Sequence, residues 1–229
     1  MTPEPSLLSI ALDIIKTAFA VFAGAGLAFW SNRHFKRQKE REDRIAAGNL
    51  ACFTVSRYAN AYMNFRKAMK DHRTKLENEI GASAVSTLPI WAQVPNVLTN
   101  MDSNITINFD ALYFLLRKES QNLLGELSVC QNKYLAFVQF VDEYNRSHLE
   151  MQEILSKEAS LGTDADPNFV IAIIGPSLDA RLSNLSRAIL DGIPMNLEYT
   201  LRIANELHSK LVEQFGSDLF IKLAEDTGE

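Results

Sequence analysis

Apolar positions recur at helical spacing along most of this chain, and no stretch shows the strict alternation of a half-buried strand. The pattern is most regular within residues 109–158. There Leu123, Leu127, Cys130, Tyr134, Phe137, Val141, Tyr144, His148, Met151 and Leu155 follow one another at alternating intervals of four and three, an unbroken heptad seam. Glu126, Lys133, Asp142, Glu143, Arg146 and Glu150 lie off that line. One long helix with an apolar stripe is predicted. Its expected use is packing within a bundle, with an intermolecular coiled coil as the alternative.

Two more stripes flank it. Leu50, Thr54, Tyr58, Tyr62, Phe65, Met69, Leu76 and Ile80 are spaced by three, four or seven, with Gly48 a weak point and Gly81 a stop signal. Downstream, Asp166-Pro167 offers an N-cap and a first-turn proline. Gly175-Pro176-Ser177 should break and restart that helix, and Gly192 with Pro194 should kink or split it again. Leu178, Leu182, Leu185 and Ile189 carry the first stripe; Leu197, Leu201, Ala204, His208, Leu211 and Phe215 continue it. Residues 81–108 have no period. Gly81, Pro89, Pro95 and many Ser, Thr and Asn residues mark a connection, long for a loop, with Ile90 and Trp91 expected to tuck against the helices.

The first thirty residues differ again, being apolar on almost every side. Leu7–Trp30 would extend about 36 Å as a helix, enough to cross a bilayer. A cleaved leader fits poorly, since the only charge ahead of the apolar core is Glu4. Phe29 and Trp30 followed by basic residues suit a membrane interface better than a buried helix does. Ser9, Asp13, Lys16, Ala20, Gly24 and Ala28 share one face, a stripe of polar and small residues that would permit close helix approach. That stripe is the expected contact face of a transmembrane helix, on which Asp13 and Lys16 can pair; the alternative sets Asp13 near the outer headgroups with Lys16 extending its ammonium along its own stem.

Charge sharpens the expectation. Residues 31–75 carry twelve Lys/Arg against four Asp/Glu, whereas 76–229 carry ten against twenty-two. Arg33, Lys36, Arg37, Lys39, Arg41 and Arg44 stand immediately after the apolar block, as contacts for anionic headgroups would. By the positive-inside rule the N-terminus lies outside and residues 31–229 face the cytosol of a cell inner membrane. Cys52 and Cys130, isolated and without a CxxC pattern, agree with a reducing compartment.

The expected fold class is therefore all-α: a single N-terminal transmembrane helix continuing into a cytosolic up-and-down bundle of long amphipathic, coiled-coil-like helices. The corresponding domains are a leader at 1–6, the span at 7–30, a basic juxtamembrane segment at 31–44 and a cytosolic helical domain at 45–229. Chemistry adds no site. The sequence has no phosphate-binding glycine loop, HExxH, calcium loop or CxxC. His34, His72, His148 and His208 all lack the Glu three residues earlier that a di-iron bundle requires. No catalytic, cofactor-binding or metal-ligating residue is assigned. Arg57, Tyr58, Tyr62, Phe65, Arg66, Lys67 and Lys70 interleave bases with aromatics, but their period puts the rings on the core face, against a nucleic-acid surface. The expected function is a membrane-anchored interaction protein, not an enzyme: a scaffold, regulator or sensor that self-associates or joins another membrane protein. The alternatives are a bilayer-perturbing effector whose span oligomerises, and an enzyme with a site near residues 81–108.

Overall fold

In the computed structural model the described residues are 7–95, 101–116, 121–157, 167–216 and 219–221, with backbone alone at 7–15, 121 and 167. Their elements are helical: α1 Leu7–Ile80, α2 Ala82–Thr87, α3 Gln121–Lys157 and α4 Pro167–Phe215, with short 3-10 turns at Ile90–Gln93 and Asp110–Leu116. No strand occurs among the described residues. The chain divides into two compact units, residues 1–46 and 47–229.

The second unit is an up-and-down bundle whose directions follow from its contacts. Tyr58 stacks on Tyr134 with ring centroids 4.1 Å apart, and Phe65 meets Phe137 edge-on at 5.5 Å, so α1 and α3 run parallel. Helices α3 and α4 are antiparallel, because the Cys130 thiol lies 3.6 Å from the Thr200 hydroxyl while Glu150 pairs with Arg181. Two parallel neighbours need a return path, and residues 81–95 and 101–116 lie along it. Along this crossover the indole of Trp91 reaches Asp179, the Pro95 carbonyl reaches Tyr144, that of Asp102 reaches Tyr134, and Phe114 meets Phe215. The segment thus travels the length of the bundle as its fourth member, beside three long helices.

Gly81 ends α1 at φ 85°, and its N–H bonds the Glu77 carbonyl. That left-handed conformation suits glycine and stops the helix where the sequence predicts. Gly175, at φ 78°, interrupts α4 as expected. The second expected break is absent: helical dihedrals continue through Gly192 and Pro194. Gly192 lies against the Phe137 ring, and the segment stays one helix there. The proposed N-cap at Asp166 lies outside the described residues.

The seam of α3 points into the bundle. Nine of its ten residues, Leu123 through Met151, are buried, and Leu155 at the end is half-buried. Helix α4, which packs on α3, buries Leu182, Ile189, Ile203 and Leu211 fully, each worth about 1.5–3 kcal/mol in transfer from water. A seam already filled by its own chain is bundle core, not an intermolecular coiled coil.

The transmembrane expectation is corrected. No helix among the described residues is long and apolar enough to cross a membrane. The single-pass inner-membrane localisation, with its outside N-terminus and cytosolic body, does not stand. Ser9 and Asp13, on which the polar stripe partly rested, lie outside the described side chains.

Candidate functional site

Two regions carry chemistry that the bundle core does not use, one in each unit. In the first unit, residues 16–43 of α1 present nearly every side chain to solvent. Phe19 is 75% exposed, Phe22 78%, Phe29 69% and Trp30 66%. At about 100° of rotation per residue these four rings fall within an arc of roughly 100° on one side of the helix. Gly26 sits in the middle of that arc, with open space where a Cβ would be. Lys16, Ala20, Gly24 and Ala28 lie on another side, also exposed. The helix therefore has an aromatic face with a central notch, and a small-residue face opposite.

The basic residues continue along the same helix. Arg33, Lys36, Arg37, Lys39 and Arg41 are exposed and Arg44 is half-buried. Trp30 packs near His34 with centroids 5.7 Å apart, and His34 meets Phe35 edge-on at 6.3 Å. The side chains of Trp30 and His34, with those of Arg33, Arg37 and Arg41, frame a shallow groove that combines aromatic surface with positive charge. Gln38 donates to Glu42 at 3.1 Å, a pairing one turn along the helix.

In the second unit, the crossover creates the other region. Its backbone runs through the bundle without a ladder or a long helix, so its polar groups need side-chain partners. Three tyrosines supply them. Tyr58 donates to the Ile105 carbonyl at 2.9 Å, Tyr134 to that of Asp102 at 3.1 Å, and Tyr144 to that of Pro95 at 3.1 Å with longer contacts to Trp91 and Val94. The Ile107 N–H bonds the Gln131 carboxamide oxygen at 2.6 Å, and Arg57 approaches the Asp102 carboxylate at 3.4 Å. Burial pushes the phenols of Tyr58 and Tyr144 well above their ordinary value of 10, so they remain donors across physiological pH. Sequence periodicity identified these tyrosines as core positions and missed their hydroxyls. The available signal was three tyrosines, rather than phenylalanines, on faces turned toward a connection rich in Pro and Asn.

An open groove of about 490 Å³ lies where the crossover meets α4, lined by Thr87, Leu88, Ile90, Asp179, Ser183 and Arg187 among others. Trp91 itself is buried beneath the surface, and its indole N–H holds Asp179 at 2.8 Å. Asp179 is therefore partly committed to structure, and the groove is shallow. Deeper inside, the Nδ1 of His148 and the hydroxyls of Ser147 and Ser186 are buried with no hydrogen-bond partner among the described residues. Burial lowers the His148 pKa, so the imidazole is held neutral beside the Tyr144 ring. Burial likewise pushes the Cys52 thiol up to about 11 and raises that of Cys130, which makes both poor nucleophiles. Among the described residues no group of His, Cys, Asp and Glu is arranged to hold a metal.

The structure brings the heptad residues together in one core and keeps the basic residues together on one exposed helix. No family model, curated protein or solved structure matches this chain.

Proposed function

We propose that this protein is a helical interaction protein, a scaffold or regulator, that self-associates through the exposed part of α1 and presents its bundle as a docking body. One observation carries the reading: the large aromatic side chains of Phe19, Phe22, Phe29 and Trp30 stand exposed in succession along one helix. Scattered apolar residues are ordinary on protein surfaces, whereas a contiguous patch of several hundred Å² marks an interaction site. The adjacent cations add a means of attracting an acidic partner surface, and residues 76–229 are themselves strongly acidic. The interior supports a binding role more than a catalytic one, since its thiols and imidazole are buried and held in their neutral forms.

Sedimentation velocity on the full-length chain over a range of concentrations tests this. The wild-type protein should shift from monomer to larger species as concentration rises. The double variant Phe22→Ser with Phe29→Ser should remain monomeric over the same range while retaining its helical circular dichroism. A wild-type chain that stays monomeric throughout would refute self-association.

A further inference from the structure

The aromatic face of α1 also fixes how two copies would fit, an inference that rests on the self-association reading and specifies its geometry. We infer that residues 17–30 pair with the same segment of a second copy in antiparallel orientation, with Phe22 of each copy seated over Gly26 of the other. Three observations lead there.

The first is area. Four aromatic side chains of roughly 150–250 Å² each, exposed to between 66% and 78%, offer about 550 Å² per copy. Pairing them would bury about 1,100 Å² before the flanking Ala18 and Ala23 are counted, close to the 1,200–2,000 Å² of stable interfaces. The opposite face has Ala20, Gly24 and Ala28 with the aliphatic Leu27 and, at its edge, Val21, and offers less than four aromatic rings do.

The second is shape. Gly26 leaves a notch at the centre of the aromatic face: apart from its chain neighbours and the local helix backbone, nothing lies within 4 Å of where its Cβ would stand. An antiparallel pair centred on residue 24 sets Phe22 of one copy against that notch in the other, twice by symmetry, and sets Phe19 against Phe29. A parallel pair would set Phe22 against Phe22 and notch against notch, bulk on bulk and gap on gap. Close packing favours the arrangement in which large side chains meet small ones.

The third is charge. Six basic residues between Arg33 and Arg44 outnumber Glu40, Glu42 and Asp43. In a parallel pair those segments would lie side by side. In the antiparallel pair they leave the interface in opposite directions, separated by more than about 27 Å along the axis, well beyond a Debye length of about 8–10 Å.

The test uses the full-length chain carrying Gln38→Cys with a spin label. Gln38 is exposed, whereas the native Cys52 and Cys130 are buried and poorly reactive. Antiparallel pairing predicts an intermolecular distance of about 40 Å between labels, and parallel pairing one of about 10–15 Å. Alongside it, Gly26→Leu should weaken dimerisation by at least tenfold by filling the notch, while Gly24→Leu on the opposite face should leave it unchanged. Both replacements favour helix, so lost pairing would not reflect lost helix. A short label distance, or weakening by Gly24→Leu instead of Gly26→Leu, overturns the geometry while self-association survives. A chain that remains monomeric and sediments only with anionic phospholipid vesicles overturns both.

Discussion

Replacing Tyr58, Tyr134 and Tyr144 by phenylalanine, singly and together, probes how the crossover is held. Each change deletes one hydroxyl and keeps the ring, including the 4.1 Å stack between residues 58 and 134. What remains is a carbonyl without its donor, at a cost of about 1–3 kcal/mol where water cannot replace it. Water has partial access to the Tyr58 bond to Ile105 and the Tyr134 bond to Asp102. The lower end therefore applies there, about 1 kcal/mol each. Tyr144 also reaches the Val94 carbonyl in a fully buried setting, which argues for about 2 kcal/mol despite a length of 3.4 Å. The triple variant should lose about 4 kcal/mol, a large share of the 5–15 kcal/mol typical of a domain. Tyr58 and Tyr134 touch, so their double variant should depart from additivity, whereas Tyr144 should add independently. Urea unfolding gives the totals, and amide exchange locates them. Residues 101–110 should exchange faster than α3 does in every variant, because the crossover loses its anchors while the helices keep their own ladder. A triple variant within about 1 kcal/mol of wild type, or equal acceleration in crossover and α3, would refute the anchoring role.

Two further outcomes follow from the core. Burial lowers the His148 pKa, so below its ordinary value of 6.5 the unfolded chain takes up a proton that the folded chain resists. This contribution to stability is complete above that value and declines as pH falls. The urea midpoint should drop between about pH 7.5 and about pH 5, and His148→Leu should flatten that part of the slope. Gly48 and Gly192 both lie within helices but should respond oppositely to alanine. A Cβ at Gly48 would come 2.9 Å from Leu211 and 3.0 Å from Phe220, whereas at Gly192 it would meet Phe137 at 3.5 Å, an ordinary contact. Helix propensity favours alanine by about 1 kcal/mol at both, and overpacking costs about 1–3 kcal/mol. Thermal unfolding should show Gly192→Ala stabilised by about 0.5–1 kcal/mol and Gly48→Ala destabilised, and changes of the same sign would contradict the packing.

The sequence by itself determined the helices, because helical periodicity is a local property written in residues three and four apart. The seam from Leu123 to Met151 was legible as a stripe, and its burial follows that stripe residue by residue. Gly81 and Gly175 were legible as breaks because a positive φ is open to glycine without strain. The sequence did not determine where the 81–108 connection goes. Its placement depends on Tyr58, Tyr134, Tyr144 and Asp179, up to 88 residues away, and no local pattern encodes such pairings. Nor did it determine Gly192–Pro194, where the helix continues against Phe137 despite two helix-weakening residues. For the start of α1, composition alone suggested a span, whereas no helix among the described residues is long and apolar enough to be one. The candidate contact face lay between these cases. Its residues could be placed on one side of a helix from spacing, but their exposure is tertiary, because a side chain is exposed only when nothing else in the fold reaches it.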